Sequence, residues 1–355
     1  MLKKHLNNCN FPMKITAIIP IVATVIATFI PYYNIKADSL QPPERLEYKK
    51  IQMAVPVRLV FYADTSTEEG KKRADAAAQR VFDNIERLKM VFSDYESDSE
   101  LRKACVAAQD GSEVPVSDDL WTVLVAAKKY HRLSNGAFDP TVANAVRLWR
   151  RAVREEKFPK RDKLEEARAL TDFNLVVLNE KNKSVRFLKK GVRLDLGGIA
   201  KGYIIDKSLE LLKELGYPAA LVDIGGDVAV GDAPPELGSR QEAVGSSEDA
   251  SLNSRNSQLA TRNSIKGWKI GILDETGKDV KEFKYLTNCG IATSGANARF
   301  VVIDSIRYSH IIDPKTGLGL TNSVVTTVIA PTAMDADAWA SARSVNPELP
   351  SSVWQ

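Results

Sequence analysis

Apolar residues after position 50 recur first with the period of a strand and then with the period of a helix. Residues 55–63 alternate and predict a strand, and the spacing from Ala74 to Leu88 predicts a long amphipathic helix. Ser117, followed by two aspartates, predicts the start of a second helix that ends near Gly136. Asp139-Pro140 predicts the start of another helix, because proline is favoured at the first helical position.

The second half of the chain is richer in predicted strands. The pattern predicts a hairpin at about 174–190, a helix from Ile199 to Leu215, a strand-turn-strand at 219–231, strands at 268–274, 299–304 and 324–330, and a short helix around 332–343. Strands and helices are mixed without regular βαβ repetition. The predicted fold class is therefore α+β rather than a doubly wound sheet.

Two polar segments interrupt these elements. Residues 38–49 are predicted to be a linker. Residues 232–265 are rich in Ser, Asn, Gln and Glu and almost lack large apolar side chains, so they cannot bury enough surface to fold. We expect a flexible insertion there.

Composition and charge narrow the class of protein. The chain has 355 residues, 44% of them hydrophobic and 26% charged, which is typical of a globular protein with one large or two medium domains. The net charge is +4, but residues 1–37 hold four lysines and no acidic residue, so the rest of the chain has 45 basic and 45 acidic residues. This balance argues against nucleic-acid binding. The basic stretch 147–168 is interleaved with glutamates and is interpreted as a solvated helix face.

The N-terminus has the layout of an export segment. Three lysines precede 21 uncharged residues between Lys14 and Lys36, and a polar region follows. Residues 1–37 therefore predict a cleaved signal peptide or an uncleaved signal anchor, with a buried helix as the alternative. The expected location is the periplasm or the outer face of the cytoplasmic membrane, with possible membrane association through this segment.

Cys105 and Cys289 are the cysteines beyond the export segment. They could form one disulfide or be two buried free thiols, and the sequence does not decide between these alternatives. Neither has the histidine-rich neighbourhood of a zinc site, so no zinc is predicted.

His310 is the stronger of two candidate general bases. It lies where a predicted strand enters an Asp-Pro-Lys-Thr-Gly turn, although this motif also serves simply as a turn. His131 lies in a helix beside charged residues and is interpreted as a surface or packing histidine. Histidine has an unperturbed pKa suited to proton transfer near neutral pH.

Three further clusters could bind an anion, a cation or a planar ring. Residues 194–206 (LDLGGIAKGYIID) place glycines and Lys201 at a helix start, which favours an anion, although the glycines could serve only close packing. Asp337 and Ser341 share one helix face and offer oxygen ligands suited to Mg²⁺, a spacing that is also common by chance. In residues 135–142, Asp139 could contact a ligand or act as a helix N-cap.

Taken together, these clusters resemble a known family. The segments SDYESDSEL, GAFDPTV, LDLGGIAKGYIID, DIGGD, IATSG, YSHIIDPKTG and DADAWAS occur in the order and approximate spacing of the ApbE family of exported FAD:protein FMN transferases. The resemblance covers residues 50–343. It implies a two-lobed α+β fold with a flavin cleft between the lobes. It also implies Mg²⁺-dependent transfer of FMN from FAD to a threonine or serine hydroxyl of an exported acceptor protein, with release of AMP.

The resemblance also implies a role for individual residues. His310 matches the family histidine proposed as general base. The positions that match FAD-binding residues are Met53, Tyr95, Ala137, Phe138, Asp139, Asp195, Lys201 and Ile311. The positions that match Mg²⁺ ligands are Gly198, through its carbonyl group, Asp337 and Ser341.

The sequence departs from the family pattern in three places. Ser341 stands where the family usually has threonine, Met53-Ala54-Val55 replaces a GVPV-like opening, and residues 344–355 form a shorter C-terminal segment than the family's. Two alternative functions therefore stay open. One is an FAD pyrophosphatase that releases FMN and AMP, and the other is a non-catalytic exported FAD-binding protein.

Overall fold

Strands and helices alternate irregularly through the computed structural model, which describes residues 42–235, 267–274, 276–295 and 300–354. The strands of this described part are β1 (Glu44–Gln52), β2 (Val55–Ala63), β3 (Val114–Pro115), β4 (Val176–Asn179), β5 (Ser184–Phe187), β6 (Ala220–Ile224), β7 (Asp227–Val230), β8 (Trp268–Leu273), β9 (Val280–Leu286), β10 (Cys289–Gly295), β11 (Phe300–Ile303), β12 (Ile306–Ser309) and β13 (Val325–Ala330). The α-helices are α1 (Glu68–Phe92), α2 (Glu100–Ala107), α3 (Asp118–Leu133), α4 (Ala143–Glu155), α5 (Arg161–Arg168), α6 (Ala200–Glu214) and α7 (Ala333–Val345).

Six strands form one antiparallel sheet in the order β1-β2-β6-β7-β10-β13. Successive side chains of a strand point to opposite faces. Val222 and Ala229 belong to the large apolar cluster that also contains residues of α1, α6 and α7. Leu221 and Val228 belong to a smaller cluster with Trp268 of β8. The sheet thus has helices on one face and the β8–β9 hairpin on the other, and the predicted α+β class is confirmed.

A third apolar cluster joins α4 to the β11–β12 hairpin. Trp149 of α4 packs with Val301 and Ile303 of β11 and with Ile312, which follows β12. The Trp149 indole Nε1 also donates to the Gly317 carbonyl oxygen at 2.8 Å. The hairpin and the turn that follows His310 are therefore anchored to α4.

The predicted helix boundaries agree closely with the structure. The Ser117 side chain accepts from the Leu120 amide at the start of α3, and Gly136 adopts a positive φ of 79° just after its end. The Asp139 side chain caps a short 3-10 turn, Pro140–Val142, which continues directly into α4.

The predicted linker, residues 38–49, is wrong over most of its described part. Residues from Glu44 onward form β1, which pairs along its whole length with β2. β1 is an edge strand and most of its side chains are exposed. An edge strand of this kind needs little apolar alternation, so its sequence resembles a linker.

The C-terminal segment predicted at 344–355 packs against the body of the protein. Helix α7 continues to Val345, and Leu349, Val353 and Trp354 pack against the large apolar cluster. The Trp339 indole Nε1 donates to the Pro350 carbonyl oxygen at 2.9 Å. This segment therefore contributes to the core around α7.

The predicted export segment, residues 1–37, lies outside the described residues, and so does the predicted insertion 232–265 apart from residues 232–235. Within the described ranges, no helix has both the length and the apolar character needed to cross a membrane.

Candidate functional site

Helices α6 and α7 pack closely at the point where the predicted metal ligands lie. A Cβ added to Gly202 would lie 2.2 Å from the Ala333 carbonyl oxygen, so only glycine permits this approach. The Gly202 amide donates to Asp337 Oδ2 at 3.0 Å. One turn further along α6, Asp206 accepts from the Ala333 and Met334 amides at 2.7 and 2.9 Å, which satisfies two N–H groups at the start of α7.

Lys201 pairs with one buried carboxylate and is also influenced by the charge of a second. Its Nζ is 2.6 Å from Asp227 Oδ2, and Asp227 Oδ1 accepts from the Thr293 amide at 2.9 Å. Burial lowers the pKa of Lys201, but the Asp227 and Asp337 carboxylates outweigh it and raise the pKa above its ordinary value. Burial raises the pKa of Asp337 to about 7, and Asp227 adds to the shift, while Lys201 and the Gly202 amide oppose it. A further cation beside Asp337 would stabilise the charged form of this buried carboxylate.

The three predicted metal ligands lie where the start of α6 packs against α7. Ser341 Oγ lies 3.4 Å from the Gly198 carbonyl oxygen, and Asp337 is one turn before Ser341 on α7. A Cβ at Gly198 would lie 2.8 Å from Ser341 Oγ, so glycine keeps this space open. A carboxylate, a hydroxyl and a carbonyl are the hard oxygen ligands that Mg²⁺ accepts, with its other positions filled by water or phosphate. The residues present therefore fit Mg²⁺. Within the described ranges no group of three or more His, Cys, Asp or Glu side chains could hold a metal.

Arg150 of α4 connects the segment after α1 to the glycine loop before α6. Its guanidinium contacts Asp94 and donates through Nη2 to Asp195 Oδ2 at 2.9 Å. The guanidinium carbon also lies 4.1 Å from the centre of the Tyr95 ring. Asp195 Oδ1 accepts from the Gly197 amide at 2.8 Å. Burial and the nearby Asp94 raise the pKa of Asp195, and Arg150 opposes this shift.

The Ala137-Phe138-Asp139 segment lies beside the glycine loop. The Asp195 amide donates to the Pro140 carbonyl oxygen at 2.8 Å, and Phe138 Cε2 would lie 3.3 Å from a Cβ at Gly198. Ala137 and Phe138 are buried. The contacts described so far join Phe138, Asp139, Asp195, Gly198, Lys201, Asp337, Ser341 and, through Arg150, Tyr95 into one cluster.

Both carboxylate oxygens of Asp139 accept hydrogen bonds from backbone amides. Its Oδ1 accepts from the Thr141 amide at 2.9 Å, which confirms the N-cap interpretation, and its Oδ2 accepts from the Phe173 amide at 3.1 Å. His131 Nδ1 lies 3.3 Å from the same Oδ2. Asp139 raises the pKa of the half-buried His131 above its ordinary value although burial opposes the shift. His131 is thus a packing histidine, as predicted, with an ion-pair partner. A contact of Asp139 with FAD stays a prediction.

Met53 lies at the tip of the β1–β2 hairpin, and His310 directly follows the β11–β12 hairpin. Met53 and Ala54 form the tip of the β1–β2 hairpin, and both have positive φ, 51° and 60°. Such a turn normally uses Asn or Gly, and strain of this kind concentrates at functional sites. Met53 is partly buried against the large apolar cluster.

His310 is exposed and follows β12 directly. Ile311, the next residue, is held by its amide, which donates to Ser309 Oγ at 3.2 Å, and by its carbonyl oxygen, which accepts from the Leu320 amide at 2.9 Å. The Asp313 side chain accepts from the Lys315 amide and the Thr316 hydroxyl, so the Asp-Pro-Lys-Thr-Gly motif is a turn. The inclusion of Met53, His310 and Ile311 in the same site stays a prediction.

Sequence reasoning missed Arg150 and Asp227. Arg150 belongs to the stretch interpreted as a solvated face, and Asp227 belongs to the DIGGD motif, to which no role was assigned. Asp227 lies directly after a glycine turn in a buried strand pair, and this position was the available signal for it. No local signal distinguishes Arg150 from the arginines beside it.

Two other features lie away from this cluster. Cys105, which is buried, and Cys289, which is partly buried, are free thiols, so the disulfide alternative is wrong. A cavity of about 630 Å³ lies on the face of the sheet opposite α6 and α7, lined by residues that include Arg58, Tyr62 and Trp268. It contains none of the predicted site residues.

Comparison with known proteins identifies the family. The model of the ApbE family matches residues 53–349, which is most of the chain. The chain belongs to the ApbE family. An FAD:protein FMN transferase of Treponema pallidum (strain Nichols) is 34% identical to this ApbE-family chain over 312 residues, covering 83% of this chain and 78% of the relative.

Solved structures of ApbE proteins have the same fold. The crystal structure of the ApbE protein of Thermotoga maritima is 29% identical, covers 85% of this chain and 87% of its own, and superimposes with a TM-score of 0.66. The flavin transferase ApbE of Vibrio cholerae is 25% identical, covers 86% and 87% of the two chains, and also has a TM-score of 0.66.

Proposed function

We propose that this ApbE-family chain is a Mg²⁺-dependent FAD:protein FMN transferase, which moves FMN from FAD to a threonine or serine hydroxyl of an acceptor protein and releases AMP. The observation that carries the proposal is the arrangement of Asp337, Ser341 and the Gly198 carbonyl beside Lys201. The transferase activity of relatives such as the Treponema pallidum protein supports it.

We place the substrate phosphates beside Lys201 at the start of α6. This helix begins at Ala200 without a side-chain cap, and Lys201 places an ammonium group in its first turn. A lysine side chain stabilises phosphate oxygens, whereas the Ala200, Gly202 and Tyr203 amides already donate to Leu196, Asp337 and Ile199. A bound Mg²⁺ would supply charge to the diphosphate and would be held by Asp337, Ser341 and the Gly198 carbonyl.

The acceptor hydroxyl must lose its proton as it attacks the phosphorus atom of the FMN half. A bond forms between the acceptor oxygen and this phosphorus, the bond from phosphorus to the oxygen of AMP breaks, and the proton passes to a base. His310 is the residue that we propose as this base. Its exposed position suits a substrate that is itself a polypeptide.

Incubation with FAD, Mg²⁺ and a threonine-bearing acceptor protein tests the proposal. Covalent flavin on the acceptor, measured by in-gel fluorescence and mass spectrometry, is the expected result. Free FMN and AMP without labelled acceptor would instead indicate a pyrophosphatase. Intact FAD that stays bound would indicate a non-catalytic FAD-binding protein.

Replacement of His310 tests its role as base. H310A should reduce transfer by at least about 100-fold, because general-base catalysis contributes that much, while FAD binding persists. K315A, in the exposed part of the same turn, is the matched control and should transfer like the wild type. Unchanged transfer by H310A would remove His310 from the mechanism.

We also propose that the chain is exported and acts on an exported acceptor. The positive flank and apolar stretch of residues 1–37 support this proposal. Fractionation of cells that express the full chain should place it in the periplasm or at the membrane, and a cytoplasmic location would contradict the proposal.

A further inference from the structure

Arg150 differs from the arginines beside it on α4. Its side chain is 28% exposed and contacts Asp94 and Asp195. The Arg151 side chain is 68% exposed and pairs only with Glu155, one turn further along the same helix. Arg147 is exposed. Arg150 is therefore directed into the protein, while its neighbours face solvent.

The charge of Arg150 compensates two carboxylates that lie close together. The Asp94 and Asp195 side chains are only 13% and 12% exposed. Removal of one partner from a buried ion pair leaves an uncompensated charge, which is strongly unfavourable. Without Arg150, Asp94 and Asp195 would repel each other across a space that water reaches poorly.

The shape of the guanidinium matters as well as its charge. The guanidinium carbon lies 4.1 Å from the centre of the Tyr95 ring, a cation–π contact. Tyr95 is 71% exposed, so the guanidinium covers part of a ring whose surface is otherwise mostly open. A planar guanidinium can stack on a ring and contact carboxylates at its edges at the same time, which a lysine ammonium cannot do.

These contacts connect parts of the predicted FAD site that are distant in sequence. Asp94 and Tyr95 follow α1, whereas Asp195 opens the glycine loop. Asp195 is tied in turn to the Gly197 amide, next to the predicted metal ligand Gly198, and to the Pro140 carbonyl oxygen beside Asp139. A single guanidinium thus holds the two segments in a fixed relation.

We propose that Arg150 is a positioning residue that holds Tyr95 and Asp195 in the arrangement that binds FAD, an inference that rests on the proposed function. Arg150 takes no part in proton transfer. Its loss should therefore weaken FAD binding and raise KM for FAD, while kcat at saturating FAD changes little. A residue with a merely structural role would lower the amount of folded protein without this separation of KM from kcat.

The experiment compares R150A, R150K and R151A in the full chain. FAD affinity is measured by quenching of flavin fluorescence, and kcat and KM are measured with FAD, Mg²⁺ and the acceptor protein. R150A should raise the Kd for FAD by about tenfold or more, the loss expected for a charge-assisted contact. R150K keeps the charge without the planar group, so its Kd should lie between those of R150A and the wild type. R151A should bind FAD like the wild type.

A second measurement tests whether Arg150 acts through its two partners. In a Y95L/D195N background, R150A should change the Kd for FAD by less than about twofold, since residues that act as a unit are non-additive. An undiminished effect of R150A in that background would overturn the inference. So would wild-type affinity in folded R150A, or a fall in kcat with KM unchanged.

The inference and the proposed function fail in different ways. Wild-type protein that neither binds FAD nor labels the acceptor would overturn both. Wild-type protein that does both, with R150A equal to it, would overturn the role of Arg150 alone. If R150A does not fold, R150K decides: weakened FAD binding supports the inference, and wild-type affinity overturns it.

Discussion

The α6–α7 helix pair and the β11–β12 hairpin hold their predicted site residues in opposite surroundings. In the helix pair, Asp337 is 6% exposed, and Gly202 permits a backbone approach that no other residue allows. In the hairpin, Phe300 and Val302 are 50% and 55% exposed, and His310 is exposed as well. The helix pair is closely packed before any substrate binds, and this side of the hairpin is open to solvent.

This difference fits the two substrates of the proposed reaction. A metal and a diphosphate need ligands that are already in place, and the buried helix pair would provide them in the proposed reaction. An acceptor protein brings its own surface to the site, so the residue that receives its proton must be reachable. The contrast suggests that substitutions in the helix pair will affect folding and metal binding, whereas those in the hairpin will affect transfer.

The largest expected effect is that of a single methyl group added at Gly202, where α6 packs against α7. G202A would place a Cβ 2.2 Å from the Ala333 carbonyl oxygen and force α7 away from α6. We expect the free energy of unfolding to fall by about 3 kcal/mol or more, at the upper end for overpacking, because backbone rather than a flexible side chain must move. Urea unfolding followed by circular dichroism measures this change.

V302A provides the comparison in the open hairpin. Since Val302 is about half exposed, its truncation should change the free energy of unfolding by no more than about 0.5 kcal/mol. Equal effects of G202A and V302A would contradict the distinction between a packed region and an open one.

A smaller effect is expected from the serine that faces the glycine loop. S341A should raise the Mg²⁺ concentration needed for half-maximal transfer by about tenfold, a loss typical of perturbed metal sites, because one oxygen ligand is removed. S341T keeps the oxygen and should need no more Mg²⁺ than the wild type. Magnesium titrations of the transfer rate check both expectations.

Ser344 is the matched control on the same helix. It is fully buried, and its hydroxyl donates to the Ala340 carbonyl oxygen within α7. S344A should leave the Mg²⁺ requirement unchanged. A similar shift in S344A would mean that the effect of S341A comes from helix packing and not from a metal ligand.

The smallest expected effect concerns His131, which is half-buried, unlike His310. Asp139 raises the pKa of His131 above its ordinary value of 6.5, so the folded state binds the proton more tightly than the unfolded state does. The resulting stabilisation is fully present below pH 6.5 and is lost as the pH rises through the folded pKa of His131.

H131Q should remove this dependence on pH. The difference in free energy of unfolding between wild type and H131Q should be largest below pH 6.5 and should shrink at higher pH. Unfolding measured at a series of pH values, together with an NMR titration of His131, provides the test. A difference that does not vary with pH would show that the variant acts through packing alone.

Sequence patterns predicted several of the elements that have a buried face, although they missed α2 and the central strand β10. Strand β2 and helix α1 follow their apolar spacing, and the Ser117 cap lies where expected. The edge strand β1 was mistaken for a linker, and β9, whose side chains are mostly exposed, was not predicted. Exposed strands are held by backbone hydrogen bonds, which leave little trace in the order of side chains.

The candidate site was likewise predicted only in part from the sequence. Motifs located the glycine loop and the Asp337–Ser341 pair, because each lies within one turn or one loop. Arg150 contacts residues 56 and 45 positions away, and Lys201 meets Asp227 on a different element. Such partners are set by the packing of distant segments, which local spacing does not encode.

The cap that Asp206 provides for α7 has a consequence for the order of assembly. It joins residues 127 and 128 positions apart, so the first turn of α7 is completed by a side chain made much earlier in synthesis. Contacts of such long range form late, because the entropic cost of closing a large loop must be met before the contacts can stabilise the chain. We therefore expect the predicted metal ligands on α7 to reach the start of α6 only late in folding.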